Sequence, residues 1–293
     1  MKIAIYGQFY NKNSLTYIDS LLDVLINKSI SFYIESKFYQ AILDDHPEID
    51  PAKYKSFTTL DNTFDLLISI GGDGTILRAI TFIKDLNIPI VGINSGRLGF
   101  LATIQEDEIE KAINDILKGN FKISERNLLS IETTPENKNL TDLNFALNEI
   151  TVSRKNTTSM ITVETHLNDE YLTSYWADGL IVSTPTGSTG YSLSCGGPVI
   201  IPESNNFILT PIAPHNLNAR PLVIPDTTEI KLKVSGREDN YLVSLDSRIA
   251  TLENNTTVTI KKADFTIKMI ELQDESFLVT LRKKLLWGED KRN

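Results

Sequence analysis

The chain has 293 residues, 41% hydrophobic and 23% charged, enough for one large domain or two ordinary ones with a sizeable core. With 29 Lys and Arg against 38 Asp and Glu, the formal net charge is −9 and no long basic run occurs, so a nucleic-acid partner is not expected. No stretch approaches the length of a membrane span, and MKIAIYGQFY reads as a short strand rather than a signal peptide. Cys195, the single cysteine, excludes an internal disulfide, and the expectation is a cytoplasmic protein without a membrane partner.

In chain order, KIAIYG is a short apolar strand ending in glycine. Leu15, Ile18, Leu22 and Leu25 follow at spacings of three and four, on one face of a helix. ISFYIES, FDLLISI and IPIVGIN read as three further strands, with TILRAITFIKDL helical between the last two. DEIEKAINDILKG predicts an amphipathic helix with Ile109, Ile113, Ile116 and Leu117 inward and Gly119 as its stop. Apolar strands alternating with helices predict a parallel sheet covered on both faces.

After about Arg126 the rhythm changes. LLSIETT, ALNEITVS, MITVETHL, GLIVSTP, EIKLKVSG, YLVSLDS, TVTIKKA and FTIKMIEL are short and β-branched, separated by turn-forming residues, and helical signals nearly vanish. The expected fold class is therefore α/β plus all-β. A Rossmann-like α/β domain with a parallel sheet spans 1–124, and a β-sandwich-like domain spans 125–274. The segment 275–293 reads as partly helical, either capping the β domain or packing back on the first one.

Eleven of the 15 glycines fall in two windows, one at 71, 72, 74, 92, 96 and 99, the other at 179, 187, 190, 196 and 197. GGDGT follows an apolar strand and precedes a helix. Its plain reading is a tight turn. The sharper reading is a phosphate site, because ligands of open α/β sheets bind outside the carboxyl ends of strands, where glycines expose backbone N–H groups. A carboxylate there is repelled by a neighbouring phosphate, so its presence is best explained if the chemistry needs it. Asp73 is thus expected to serve as a base for a hydroxyl, or as a contact to metal or ribose.

Other site chemistries fail on the residues. No Gly-Lys pair occurs, so there is no Walker A loop, and YGQFYN lacks the G-x-G-x-x-G of a hydride-transferring site. Around Ser188 a hydrolase elbow fails because Thr186 stands where glycine is required. Cys195 has no histidine close in sequence, His215 reads as a structural hydrogen-bonding residue, and no Cys or His set has zinc spacing. What WADGLIVSTPTGSTGYSLSCGGPVI does offer is a dense row of hydroxyls between glycines, suited to a polar ligand carrying rings.

Taken together, GGDGT, LNEITV, GLIVSTPTGSTGYSLSCGGP and PIAPHNLNARPLVI resemble the NAD kinases, which phosphorylate NAD to NADP; the similarity runs from the first strand to LRKKLLWGED. GGDGT alone is shared with lipid kinases and phosphofructokinases, whereas the hydroxyl-rich window together with Asn148-Glu149 is specific. The resemblance implies an active site between the two domains and assembly as a homodimer or homotetramer. It implies ATP as donor, sometimes replaced by inorganic polyphosphate, and a divalent metal, normally Mg²⁺, with no metal-ligating residue assigned. By the same resemblance Asp73 is the general base that takes the proton of the adenosine ribose 2′-hydroxyl as it attacks the γ-phosphorus. Gly72 and Gly74 lie against phosphates, and Arg78 either reaches the same anion or stays on the surface.

Asn148 is implied as an adenine or phosphate-side contact and Glu149 as a ribose or metal contact. Asp178 matches the residue at the nicotinamide end. Thr186 and the run Thr189, Gly190, Tyr191, Ser192, Leu193 and Ser194 match the adenine- and nicotinamide-binding loop, and Ala213 matches a backbone contact to ligand. Three positions depart from the pattern. Gly190 stands where many relatives have alanine, Ala177-Asp178-Gly179 where they have Gly-Asp-Gly, and SLDSR where they often read Asp-Gly-Gln, which leaves Arg248 facing either a phosphate or solvent. The rival readings are a lipid kinase sharing the GGDGT loop and a non-catalytic NAD(P) sensor.

Overall fold

The computed structural model describes residues 1–8, 14–156 and 159–287. Phe9, Tyr10 and Asn11 of YGQFYN, the side chain of Leu15, and the last three residues of LRKKLLWGED lie outside the described residues. The chain forms two compact units, Met1–Glu125 with the C-terminal segment from Ile267, and Arg126–Thr266.

The first unit runs β1 (Lys2–Gly7), α1 (Ser14–Asn27), β2 (Ser31–Glu35), α2 (Ser36–Asp45), β3 (Lys55–Phe57), β4 (Leu66–Ile70), α3 (Asp73–Ile83), β5 (Ile90–Ile93) and α4 (Ile109–Lys118). Its sheet is parallel in the order β3-β2-β1-β4-β5. Every residue of β4 is buried, as expected of a strand with both faces covered. The core joins Ile3, Ile5, Ile68 and Val91 of the sheet to Ile18, Leu21, Leu22 and Leu25 of α1.

Two local expectations change. In α4 the buried face is Ile109, Ala112, Ile113 and Ile116, while Leu117 is 41% exposed. Leu117 lies 100° around the helix from Ile116, beyond the inward stripe, and Ala112 completes that stripe instead. Gly119 does end the helix, in a left-handed conformation with φ 74°. The strand expected over ISFYIES stops at Glu35, whose carboxylate caps α2 by accepting the Phe38 N–H at 2.9 Å.

The chain passes into the second unit within β6 (Phe121–Thr134). There follow β7 (Phe145–Ala146), β8 (Glu149–Arg154), β9 (Ile161–Leu167), β10 (Glu170–Ala177), β11 (Gly179–Ser183) and a one-turn helix α5 (Tyr191–Ser194). Then come β12 (Asn206–Ile212), β13 (Leu222–Pro225), β14 (Ile230–Gly236), β15 (Asn240–Leu245), β16 (Arg248–Glu253) and β17 (Thr257–Leu272). One antiparallel sheet has the order β13-β12-β11-β8-β15-β16. Facing it are β10, β9, β14 and the first part of β17, also antiparallel. Alternate residues of β9, β14 and β15 point into the shared core with Phe207, Tyr241, Leu180 and Val182, which makes the unit sandwich-like.

β17 returns the chain to the first unit, where Met269 pairs with Ile90 of β5, and α6 (Phe277–Leu285) follows. Ser276 caps α6, and the Phe277 ring lies 6.2 Å from that of Phe100. Among the described residues no helix is long and apolar enough to cross a membrane.

Phe207 is fully buried in the second unit. Phe207→Ala should cost about 3–5 kcal/mol of unfolding free energy. The check is the urea unfolding midpoint; an unchanged midpoint would contradict the core placed here.

Candidate functional site

β4 delivers the chain to GGDGT at the carboxyl end of the parallel sheet, and Gly7 at the end of β1 is level with Ile70. A side chain on Gly71 would strike Thr75 Oγ1 at 2.2 Å, so this glycine serves the turn itself. Gly72 and Gly74 differ: a Cβ built on either meets nothing within 4 Å, and neither has a positive φ. The fold alone makes no demand for glycine at these two places. The space beside both is open. Gly72 is also the N-cap of α3 and brings no side-chain cap, so the first N–H groups of that helix keep their capacity for an anion.

Asp73 opens α3, and its carboxylate is already engaged. Oδ2 accepts the Phe100 N–H at 2.8 Å, and Oδ1 accepts the N–H groups of Leu101 and Ala102, each at 3.0 Å. A carboxylate offers about four lone-pair positions. Three are taken, and the one left is on Oδ2. The Lys284 ammonium stands 3.8 Å from that oxygen. Gly99 permits the arrangement, since a Cβ there would lie 1.9 Å from Asp73 Oδ1. Asn94, fully buried, shapes the same loop: its amide donates to the carbonyls of Arg97 and Ala102 and accepts from Gly96 N–H. Arg97 itself is exposed. Arg78 lines a cleft of about 680 Å³ with Tyr6, Gly7, Lys37, Thr58 and Phe82, outside the ends of β1 and β2.

In the second unit the polar set is built on β8. Asp246, in the turn between β15 and β16, accepts the N–H groups of Leu147, Asn148 and Glu149 at 3.0, 2.8 and 3.2 Å. Burial pushes the Asp246 carboxyl up, and these donors, with Arg248, work against the shift. Arg248 is half-buried, and its side chain turns to the protein's own backbone. Its guanidinium donates to the carbonyls of Leu143 and Phe145 and lies over the Phe145 ring. The departure from Asp-Gly-Gln thus braces the strand leading into Asn148.

Asn148 and Glu149 come together with Gly187, Gly190 and Tyr191. A Cβ on Gly187 would sit 2.0 Å from the Asn148 carbonyl oxygen, so the turn approaches as closely as backbone allows. At Gly190 a Cβ would meet Glu149 Oε2 at 3.1 Å, the Gly187 carbonyl oxygen at 3.2 Å and Asn148 Nδ2 at 3.5 Å, so the backbone of the turn itself crowds this position. Asn148 Oδ1 and Glu149 Oε2 are buried with no hydrogen-bond partner. Two such atoms side by side are costly unless a ligand meets them. Burial first, then the Asp246 charge, raises the Glu149 carboxyl to about 8, with the Tyr191 N–H opposing. Glu149 is therefore protonated at neutral pH and able to donate as well as accept.

The hydroxyl-rich window is a turn of 3₁₀ helix, Thr186–Thr189, followed by α5, and much of its bonding capacity is spent internally. Ser192 is fully buried with its hydroxyl 2.8 Å from that of Thr210, and Ser188 bonds Ile200. Thr189 donates to the buried Thr186 carbonyl. Tyr191 and Ser194 are exposed and Leu193 half-buried. Asp178 pairs with Arg154 at 2.9 Å, a partner the sequence reading missed. Ala213 follows Ile212, which is level with Gly179, so it and Asp178 share one end of the β11–β12 pair. Its φ of 43° is uncommon for a residue with a side chain. His215 lies against Trp176, with ring centroids 4.4 Å apart and planes tilted by 47°, and burial raises the Cys195 thiol, which does not favour a nucleophilic thiolate. Among the described residues no group of three or more His, Cys, Asp or Glu gathers to hold a metal.

A parallel sheet with a glycine-lined strand end beside one carboxylate, and a β unit presenting buried amide and carboxyl groups under a hydroxyl turn, fit a nucleotide phosphotransferase. The family comparisons agree. Residues 3–121 match the ATP-NAD kinase N-terminal domain, and residues 147–272 match the ATP-NAD kinase C-terminal domain. The chain is 61% identical to the NAD kinase of Christiangramia forsetii and 60% identical to that of Flavobacterium psychrophilum, in each case over 100% of both chains. It superposes on a solved NAD kinase from Archaeoglobus fulgidus in complex with ATP with TM-score 0.74 and 25% identity, over 97% of each chain. Its fold is also that of yeast NADH kinase complexed with NADH, at TM-score 0.85 and 23% identity, over 99% of this chain and 89% of that one. The chain belongs to the NAD kinase family, and its activity is that of an NAD⁺ kinase. The lipid-kinase and sensor readings give way to this assignment.

Two predictions follow from the geometry. Gly72→Ala should leave the melting temperature unchanged and raise KM for ATP by about ten-fold, the equivalent of one lost polar contact. Unchanged steady-state kinetics would show that the open space at Gly72 serves no ligand. The second concerns Glu149, whose carboxyl rises from an ordinary 4.5 to about 8 on folding. Between those values the folded protein keeps a proton that the unfolded chain releases, so this group lowers stability progressively as pH rises through the window. Glu149→Gln cannot ionise. Its melting temperature relative to wild type should climb from about pH 5 to about pH 8 and then level off; a difference constant with pH would contradict the assignment.

Proposed function

We propose that the chain transfers the γ-phosphoryl group of ATP to the 2′-hydroxyl of the adenosine ribose of NAD, with Asp73 as the general base. One observation carries this reading: the single unused lone pair of the Asp73 carboxylate is on Oδ2, at a helix start flanked by Gly72 and Gly74. In the step, the ribose oxygen forms a bond to the γ-phosphorus, the bond to the ADP oxygen breaks, and the hydroxyl proton passes to Asp73 Oδ2. The backbone of Gly72 and Gly74 and the Arg78 guanidinium take the phosphates.

The second unit supplies the hold on NAD in this reading. The amide of Asn148 and the protonated carboxyl of Glu149 satisfy their buried atoms on adenine and ribose. Thr186, Thr189, Gly190, Tyr191, Ser192, Leu193 and Ser194 form the loop around the dinucleotide, Ser192 by its place in the turn rather than by its hydroxyl. Asp178, held by Arg154, and the Ala213 backbone serve the nicotinamide end. Mg²⁺ fits as the ATP complex, because Mg²⁺ keeps its waters and phosphate oxygens and needs few protein carboxylates, and when bound it neutralises phosphate charge. A homodimeric or homotetrameric state in the cytoplasm is proposed on the family resemblance.

The test is NADP formation from NAD, ATP and Mg²⁺ by wild type and Asp73→Asn, with NAD affinity measured for both. The variant should lose about 10²–10⁴ in kcat and still bind NAD. Near-normal kcat in the variant would remove Asp73 from the role of base.

A further inference from the structure

Lys284 reaches Asp73 from a segment outside both glycine windows. The start of α6 is pinned to the stretch that follows β5: the Phe277 ring packs on Phe100, the Thr103 hydroxyl donates to Glu275 at 2.6 Å, and Lys111 pairs with Asp274 at 2.5 Å. Lys284 stands seven residues after Phe277, two turns on and therefore on the same helix face. Its ammonium lies 4.8 Å from the centroid of the Phe100 ring and 3.8 Å from Asp73 Oδ2. Phe100 is also the residue whose N–H bonds that same oxygen.

A separation of 3.8 Å is an ion pair but is beyond hydrogen-bond reach, so the ammonium does not occupy the last lone pair of Oδ2. Its side chain is 32% exposed and keeps donors for an incoming group. A cation beside a carboxylate opposes the uptake of a proton by that carboxylate. The arrangement favours the reaction when the same charge also meets negative charge brought by the substrate. A hydroxyl bonded to Oδ2, and a phosphorus about 3–3.5 Å from that hydroxyl in an attack geometry, bring the phosphoryl oxygens within the span of a flexible lysine. Favourable interaction with the C-terminus of α6 does not require this residue, since Arg282 and Lys283 occupy the same last turn.

We propose that Lys284 is a further catalytic residue, contacting the phosphoryl group in transit and neutralising the charge that develops on it. The proposal rests on Asp73 being the proton acceptor. The experiment compares full-length wild type, Lys284→Met, Lys284→Arg and Lys283→Met for kcat, NAD affinity and melting temperature. Methionine keeps an apolar stem over Phe100 and removes only the charge. Lys284→Met should lose about 10²-fold in kcat, the scale of one lost transition-state donor, with NAD affinity and melting temperature essentially unchanged. Lys284→Arg should recover at least about a tenth of wild-type kcat, and Lys283→Met should match wild type. Wild-type kcat in Lys284→Met, with Asp73→Asn inactive, would overturn this proposal alone. A joint fall of kcat, NAD affinity and melting temperature that arginine does not reverse would overturn it in favour of a helix anchor. A wild type without turnover would overturn the functional reading and this proposal with it.

Discussion

An aspartate closed over three consecutive backbone N–H groups is the interaction on which both candidate sites depend. Asp73 does this to residues 100–102, and Asp246 does it to residues 147–149. A carboxylate accepts and never donates, and its hydrogen bonds carry its charge. Three amide donors in a row therefore fix a short stretch of chain, which in the second unit leads directly into β8. In each unit the stretch fixed in this way carries or shapes the proposed ligand contacts.

The two nests differ in their surroundings. Asp246 is buried deeply enough that desolvation works against its charge, and Arg248 helps to offset that cost from the far side of the turn. Asp246 orients Leu147, Asn148 and Glu149 and, by the same count as Asp73, keeps one lone pair on Oδ2, but on a deeply buried carboxyl. Asp73 is less buried and retains one lone pair on Oδ2, beside an ammonium and two glycines with open space. The same device can thus be an anchor in one unit and a reactive group in the other. The number of donors is equal, so the surroundings make the difference.

Glycine usage follows the same logic. Gly99 and Gly187 exist because another atom of the protein comes within about 2 Å of where a Cβ would stand. Gly72 and Gly74 have no such neighbour. In the sequence all four look alike, as members of clusters, and the distinction between a glycine set by packing and one with open space beside it appears only once the chain is folded. The row of hydroxyls shows the converse. Ser192 looked like a ligand contact, but its hydroxyl is engaged with that of Thr210, and Ser188 likewise holds the turn to Ile200.

The sequence by itself determined the parallel α/β half, the sandwich-like half, the strand-to-helix turn at GGDGT and the family. Each of these is written in local periodicity, turn chemistry or contiguous motifs. Even there, Leu117 shows the limit, because one residue at the edge of an apolar stripe belongs to either face until its neighbours are placed. Only the tertiary structure decided where the carboxylates spend their lone pairs. Asp73 reaches donors 27 to 29 residues away, and Asp246 reaches donors 97 to 99 residues away. The inward turn of Arg248, the partnership of Arg154 with Asp178 and the approach of Lys284 to Asp73 were hidden in the same way. The physical reason is common to all of them. A long-range polar contact depends on two surfaces meeting in space, and neither residue type nor local spacing records which surfaces those are.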